Sequence, residues 1–457
     1  MAYAKLAVVH HNRVSLDKRD EFAKRALALV DRLTTRERYY IEGFYYSLRP
    51  ETVGRGIEAY QQGLKLHPEH QASRHNLGLR YMLLERYPEG IAHFEELLRR
   101  GTSNPTSYET LSGMLIETGN VGRAREITDD FVRRYPESSV AMRMLGTTLI
   151  AEKRFDEARS AFERSEALDP VDFTARGWQR AVAILQERWD DAGAVSNEMA
   201  RSAVPFERFQ GFVGEAFVAS ARGKGQVVAD SMDRGARVAG LAAGPRAAVR
   251  NRLAQALLVQ GKFEAALAQT QLALVDARSR DNEFMTLQLM AVAQAGTGRQ
   301  ADAAQTLTLL ESRARMLPSQ REIRRVHWAR GEIALLQGET ALAVAELTRA
   351  SGMLPAHGLP GGPPILHGHL WHAAALAHLK AGRDSEAAQF LERLQAGEER
   401  VQAMDAWSRS FYLLGQIYER RGDAARARDQ YGRFLNLWRD GDLERGWVAE
   451  AQKEVGG

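Results

Sequence analysis

Four histidines, His367, His369, His372 and His378, crowd one short stretch of the chain. Imidazoles at that density are the first place to look for a metal. His369 and His372 stand three apart, on one face of a helix, and a zinc ion would want a third imidazole or a carboxylate fixed beside them. No such residue stands at suitable spacing, so the expectation is a solvated helix start and no metal. Gly223-Lys224-Gly225-Gln226-Val227-Val228 comes nearest to a phosphate loop. It lacks the Lys-Ser/Thr ending and follows a helix rather than a strand, which fits a helix-breaking turn better. His67, His70 and His75 surround Pro68 as turn residues. Glu95-Glu96 and Asp129-Asp130 are acids on helices, where neighbours point apart and cannot share a substrate. Arg313, Arg315, Arg321, Arg324, Arg325 and Arg330 straddle Pro318 and a helix start, as scattered surface charge would. No cysteine is present, which excludes disulfides, thiolate nucleophiles and cysteine-ligated zinc. No constellation for catalysis emerges, and no cofactor is called for.

The elements that carry these residues are written more clearly than any site. Leu77, Leu111 and Leu145 lie 34 residues apart, accompanied by Gly78, Ser112 and Gly146. Small residues follow at Gly90, Ala124 and Ala158, then Phe94, Thr128 and Phe162. Pro136 and Pro170 keep the same step. Small residues let the two helices of a hairpin approach, and large ones (Tyr81, Phe94, Phe162, Tyr418, Tyr431) fill the space between hairpins. A single hairpin cannot bury its own apolar face, so its neighbours must. This period and pattern resemble tetratricopeptide repeats, helix–turn–helix units that stack into a solenoid. The resemblance implies an all-α fold of about nine or ten hairpins in a right-handed superhelix with a concave groove. Some such domains hold a C-terminal carboxylate through a clamp of basic residues and asparagines. Asn76 matches one position, but Thr106 and Thr110 stand where cations belong, so that clamp is not expected.

Along the chain the pattern divides unevenly. Residues 1–70 read as irregular helical repeats with an abrupt start, since Leu6, Val8 and Val9 are apolar without a preceding cap; the chain looks cut from something longer. Residues 71–172 hold three clean repeats. Residues 173–248 keep helical periodicity but lose the consensus, and 249–355 recover it. A loop over 356–366, dense in proline and glycine, cannot be helix. Residues 367–457 close with further repeats and a capping helix through Trp447 and Ala451.

The 457 residues carry a net charge of only +4, with 44% hydrophobic and 26% charged residues. That balance describes a globular chain without the basic field that nucleic acid attracts. No apolar run is long enough to span a membrane, and no signal peptide opens the chain. The expected setting is soluble, cytoplasmic as the chain stands, and periplasmic if a membrane segment precedes it.

Two stretches are more specific than the repeat itself. The run from Ala26 through Thr34-Thr35-Arg36-Glu37-Arg38-Tyr39-Tyr40 to Gly43 resembles a segment of bacterial repeat proteins fused to eukaryotic-like serine/threonine kinases. Asp429-Gln430-Tyr431-Gly432-Arg433-Phe434-Leu435-Asn436-Leu437-Trp438 is similar to the close of those chains. The resemblance implies a non-catalytic C-terminal region: Val-Ala-Ile-Lys, His-Arg-Asp and Asp-Phe-Gly are all missing. The expected function is therefore a protein-interaction scaffold linked to kinase signalling; the alternative is the sensory segment of a transcription activator or cyclase-type regulator. The expected binding face lies inside the last three repeats. Setting the frame by Gly331, Ala375 and Gly415 puts Arg325 and Trp328, His369 and His372, and Arg409 and Tyr412 on that face, with Gln416 and Arg420 one turn on. Cations beside rings suit an acidic, extended peptide. The bare N-terminal edge is the expected route of any self-association.

Overall fold

A computed structural model describes residues 1–12, 16–277, 280–358 and 367–456. It contains 25 α-helices and, among the described residues, no strand. Consecutive helices pair as antiparallel hairpins. The first six are α1 (Ala2–Asn12) with α2 (Leu16–Leu27), α3 (Thr35–Tyr46) with α4 (Val53–Leu66), α5 (Gln71–Leu83) with α6 (Tyr87–Arg99), α7 (Pro105–Glu117) with α8 (Val121–Arg134), α9 (Ser139–Ala151) with α10 (Phe155–Leu168), and α11 (Thr174–Leu185) with α12 (Trp189–Ala200). Then follow α13 (Pro205–Ala221) with α14 (Gly225–Ala236), α15 (Ala243–Val259) with α16 (Phe263–Asp276), α17 (Arg280–Gly296) with α18 (Gln300–Arg315), and α19 (Ile323–Gln337) with α20 (Thr340–Gly352). The last are α21 (His367–Lys380) with α22 (Asp384–Ala396), α23 (Met404–Arg420) with α24 (Ala424–Trp438), and a closing helix, α25 (Arg445–Gly456). The all-α solenoid is as expected, but twelve hairpins replace nine or ten, because 1–70 and 173–248 each hold two full ones. Pro360, Gly361, Gly362, Pro363 and Pro364 of the expected loop lie outside the described residues.

The small-large code works by contact. A methyl group at Gly78 would lie 2.6 Å from the Phe94 ring, one at Gly146 2.5 Å from Phe162, and one at Gly415 2.6 Å from Tyr431. In the intervening unit Ser112 and Thr128 replace glycine and ring, and their hydroxyls meet at 3.4 Å with Thr148 joining at 2.9 Å. A buried polar pair thus takes the place of an apolar one and satisfies itself. Helix starts carry side-chain caps where the residues allow: Thr34 and Glu37 form a reciprocal capping box, and Asn104, Ser138 and Asp423 accept from backbone N–H groups.

From the third hairpin onward, the turn between the two helices contains one residue in the left-handed region: Glu85, Gly119, Lys153, Glu187, Gly223, Gly261, Gly298, Gly338, Gly382 and Gly422. The first four are spaced by 34; later ones drift apart, to 44 between Gly338 and Gly382. The unit lengthens while the architecture is kept.

Successive turns of the superhelix touch. Groups from 187 to 262 residues apart meet along a continuous seam, a distance of about five to seven repeats. Two apolar cores cross this seam. One joins Val53–Leu84 side chains to those of α15–α21, and the other joins α9–α12 to α21–α25. The second turn therefore seats its apolar surface on the first.

Candidate functional site

The seam starts where Arg313 reaches Glu51 at 3.5 Å. Arg324 then grips Glu85 with two nitrogens, at 2.6 and 2.8 Å, while Arg321 donates to the Leu83 carbonyl at 2.8 Å and the Ser319 hydroxyl to that of Leu84. Further along, the Gly119 turn backs onto Ala356 and His357. Lys153 faces Glu398 at 3.7 Å, Arg400 donates to the Leu185 carbonyl at 2.8 Å, and Arg433 pairs with Glu187 at 2.6 Å. At the far end Ser408 and the Trp438 indole both donate to the Ala221 carbonyl, at 2.8 and 3.1 Å. Asp442 accepts from the N–H groups of Gly225 and Gln226 at 2.6 and 3.1 Å. The loop considered for phosphate is thus an anion-binding helix start whose anion is a carboxylate of the same chain.

This closure decides the fate of the expected groove. Arg325, Trp328, His369, His372, Arg409 and Tyr412 are brought inward as the repeat frame requires, but all six are buried rather than open. Arg325 donates to Glu322 and to Gln288, each at 3.0 Å. His369 meets Asp405 at 3.0 Å, and Arg409 joins Asp405 and Glu444 at 3.8 and 3.1 Å. Burial lowers the His372 value to about 3, with the charge of Arg409 acting the same way, so this ring is neutral. Burial would raise Asp405, but the charge of His369 and its hydrogen bond, with Arg409, hold it well below the usual carboxylate range. Tyr412 stacks on Trp447 at 4.2 Å and donates to Glu450 at 2.7 Å. Gln416 and Arg420 keep some surface, yet Gln416 also reaches Glu450, and Arg420 is held by Asp384 at 2.8 Å. The correction has a physical reason: neighbouring helices and the two cores shared between turns close over these positions, and α25 covers the last hairpin.

Two other expectations change for the same reason. The four histidines of α21 are buried, not solvated. Among the described residues no trio of His, Asp or Glu could hold a metal. Arg321, Arg324 and Arg325 are interior clamps rather than surface charge. Among the described residues, no helix is long and apolar enough to cross a membrane.

An interior cavity of about 740 Å³ stays open. It is lined from α2, α5, α11, α13, α15 and α17, with Val401 and Gln402 reaching in from the second turn. Its walls include Trp178, Phe209 and Phe217, and two arginines, Arg180 and Arg252. Sequence reasoning missed both cations, which belong to no motif. The available signal was weak: Arg180 directly precedes the apolar run Ala181–Leu185 on a helix with little polar face left.

Residues 53–105, 115–173 and 143–203 match one tetratricopeptide-repeat family model, and residues 409–440 match a second. No curated protein matches the chain in sequence. Solved structures similar to it include yeast Tom70, at 12% identity over 99% of this chain and 95% of that one, with a TM-score of 0.38. The Cut9–Hcn1 hetero-tetramer of the APC/C is similar at 12% identity over 98% and 89%, with a TM-score of 0.37. A tetratricopeptide repeat protein from Parabacteroides merdae is similar at 10% identity over 70% and 99%, with a TM-score of 0.32. The matched segments and the stacked hairpins together identify a chain that carries tetratricopeptide repeats, folded as a right-handed α-solenoid.

Proposed function

We propose that this chain is a non-catalytic scaffold that holds a protein partner on its outer surface. The observation that carries this reading is a set of large apolar side chains left in water on neighbouring hairpins. Val275 is 74% exposed, Met316 55%, Leu272 47% and Leu309 43%. Leu272 and Val275 share a face of α16, and Leu309 and Met316 share one at α18. Exposed apolar clusters of this kind mark protein contact surfaces. An acidic peptide at the eight expected groove residues would first have to displace carboxylates of this chain such as Glu450 and Asp384. The resemblances at residues 26–43 and 429–438 support a place beside a bacterial serine/threonine kinase; a transcription activator or cyclase-type regulator is the alternative.

The test is affinity capture from the source cell with the wild-type chain and a Val275→Asp/Leu309→Asp variant of unchanged melting temperature. A stoichiometric partner recovered by the wild type and lost from the variant supports the reading. Equal recovery by both, or no partner, overturns it. A kinase domain encoded in frame with these repeats would support the finer placement, and a winged helix there the alternative.

A further inference from the structure

Arg180 and Arg252 are an anomaly among the arginines of this protein. Arginine is almost never buried without a carboxylate beside it, because a desolvated charge needs compensation. The buried seam arginines Arg321 and Arg324 follow that rule, both beside Glu85. Arg180 does not: it is 7% exposed, and its partners are neutral, the Gln210 carbonyl at 2.7 Å and the Met199 sulfur at 3.8 Å. Arg252, on the cavity wall, lies over the Phe217 ring at 5.2 Å. Among the described residues neither forms an ion pair with a carboxylate. Burial, with the charge of Arg252 acting the same way, lowers Arg180 to about 10; burial alone brings Arg252 to about 10. Two cations thus face one cavity and repel each other.

The lining is rich in cations. Arg19, Arg49, Arg80, Arg180 and Arg252 contribute to it beside one acid, Asp281, which serves Arg321 at 3.3 Å, and Arg19 has its own partner in Asp20 at 2.6 Å. The remaining wall is apolar and aromatic. Gly214 makes the placement of Arg180 possible, since a methyl group there would lie 2.6 Å from its Nη1. A volume of about 740 Å³ falls within the range that encloses small organic ligands, about 300–1,000 Å³.

We propose that this cavity binds one small amphipathic carboxylate, its charge held by Arg180 and Arg252 and its apolar body against Trp178, Phe209 and Phe217. The ligand supplies the counter-charge that the fold omits, and guanidinium groups suit a carboxylate through paired donors.

The experiment is calorimetric titration of the full chain with dodecanoate, and with dodecanol and acetate as probes of body and charge separately. Dodecanoate should bind one to one and more tightly than either probe. Arg180→Met and Arg252→Met should each weaken it by about tenfold or more while leaving dodecanol unchanged. Arg180→Met removes an uncompensated buried charge and Arg252→Met a half-buried one, so both should fold at least as well as the wild type. Gly177→Phe provides the second arm: Gly177 lies on the wall of α11, and a side chain added there meets nothing within 4 Å. It should fill the cavity and abolish binding with both arginines intact. Equal affinity for dodecanol and dodecanoate, equal affinity for acetate and dodecanoate, stoichiometry above one, or binding undiminished in Gly177→Phe would each overturn the proposal.

Discussion

Glu85, Lys153 and Glu187 hold left-handed backbone at turns where the later units place glycine. Each non-glycine residue there costs roughly 1–2 kcal/mol, and such strain persists where the side chain has work elsewhere. All three side chains reach across the seam, to Arg324, Glu398 and Arg433. The pairs differ in depth. Glu85 and Arg324 are nearly buried, whereas the Lys153 side chain is 63% exposed at 3.7 Å. Glu85→Gly should therefore destabilise the fold by about 2–3 kcal/mol despite relieving strain. Lys153→Gly should leave it unchanged or stabilise it by up to about 1 kcal/mol. Urea unfolding of the two variants checks this, and similar losses would contradict it. A second residue-scale effect is titratable: burial raises Glu332 to about 7, against the opposing influence of Trp328. A carboxyl raised above its unfolded value stabilises the fold fully below pH 4.5 and loses that contribution as pH climbs to about 7. The stability of Glu332→Gln relative to wild type should rise across that window and be flat above it. At this scale the apolar core was legible, because Leu77, Leu111, Phe94 and Phe162 follow the repeat and are all fully buried. His369, Arg409 and Arg325 were not, since a polar residue on an inward face looks the same in sequence whether water or another helix covers it.

The helices themselves were readable where the unit length held steady. The interval of 34 lasts through Glu187, and every hairpin from α5 to α10 falls where the spacing predicts it. Beyond that point intervals of 36 to 44 residues shift the register from α13 onward, while α11 and α12 keep the 34-residue step and fall within the matched repeats. The additional residues lengthen helices such as α13, α15 and α17, each of 17 residues. Inner-face positions needed the neighbouring element too. Glu109 of α7 receives Arg143 of α9 at 2.9 Å, and that arginine is 8% exposed. Asp172 remains to Arg143, so Glu109→Ala should cost only about 1 kcal/mol. Ala158→Trp, by contrast, has no free space at 0% exposure and should cost about 1–3 kcal/mol or more. Thermal melts of the pair decide whether the repeat frame is correctly set. At the N-terminal edge Leu6 and Val9 are 41% and 43% exposed. Amides of α1 should exchange faster than those of α5 to α10; equal protection in a monomer would contradict this.

The closed superhelix was not legible in the chain. Its contacts join residues up to 262 apart, and nothing in a local period records which turn will lie against which. The residues expected to line an open groove are instead held by Glu322, Gln288, Asp405, Glu444, Glu450 and Asp384 on neighbouring elements. A direct prediction follows for the whole molecule. Arg324→Ala, Arg433→Ala and Asp442→Asn combined remove one anchor from each third of the seam, and the two turns should separate. Small-angle scattering should show a larger radius of gyration with helical circular dichroism retained, because each hairpin still packs on its neighbours. An unchanged radius would mean that the apolar cores alone hold the turns together.

Coils in contact also give the molecule a mechanical character. An open solenoid stretches in proportion to load from the first piconewton, whereas a close-wound spring stays rigid until its preload is exceeded and then yields softly. Here the preload is the set of side chains linking the left-handed turn residues to the second coil. Tension on the two ends would meet a stiff body while the seam holds, and a longer, softer one once those side-chain links part.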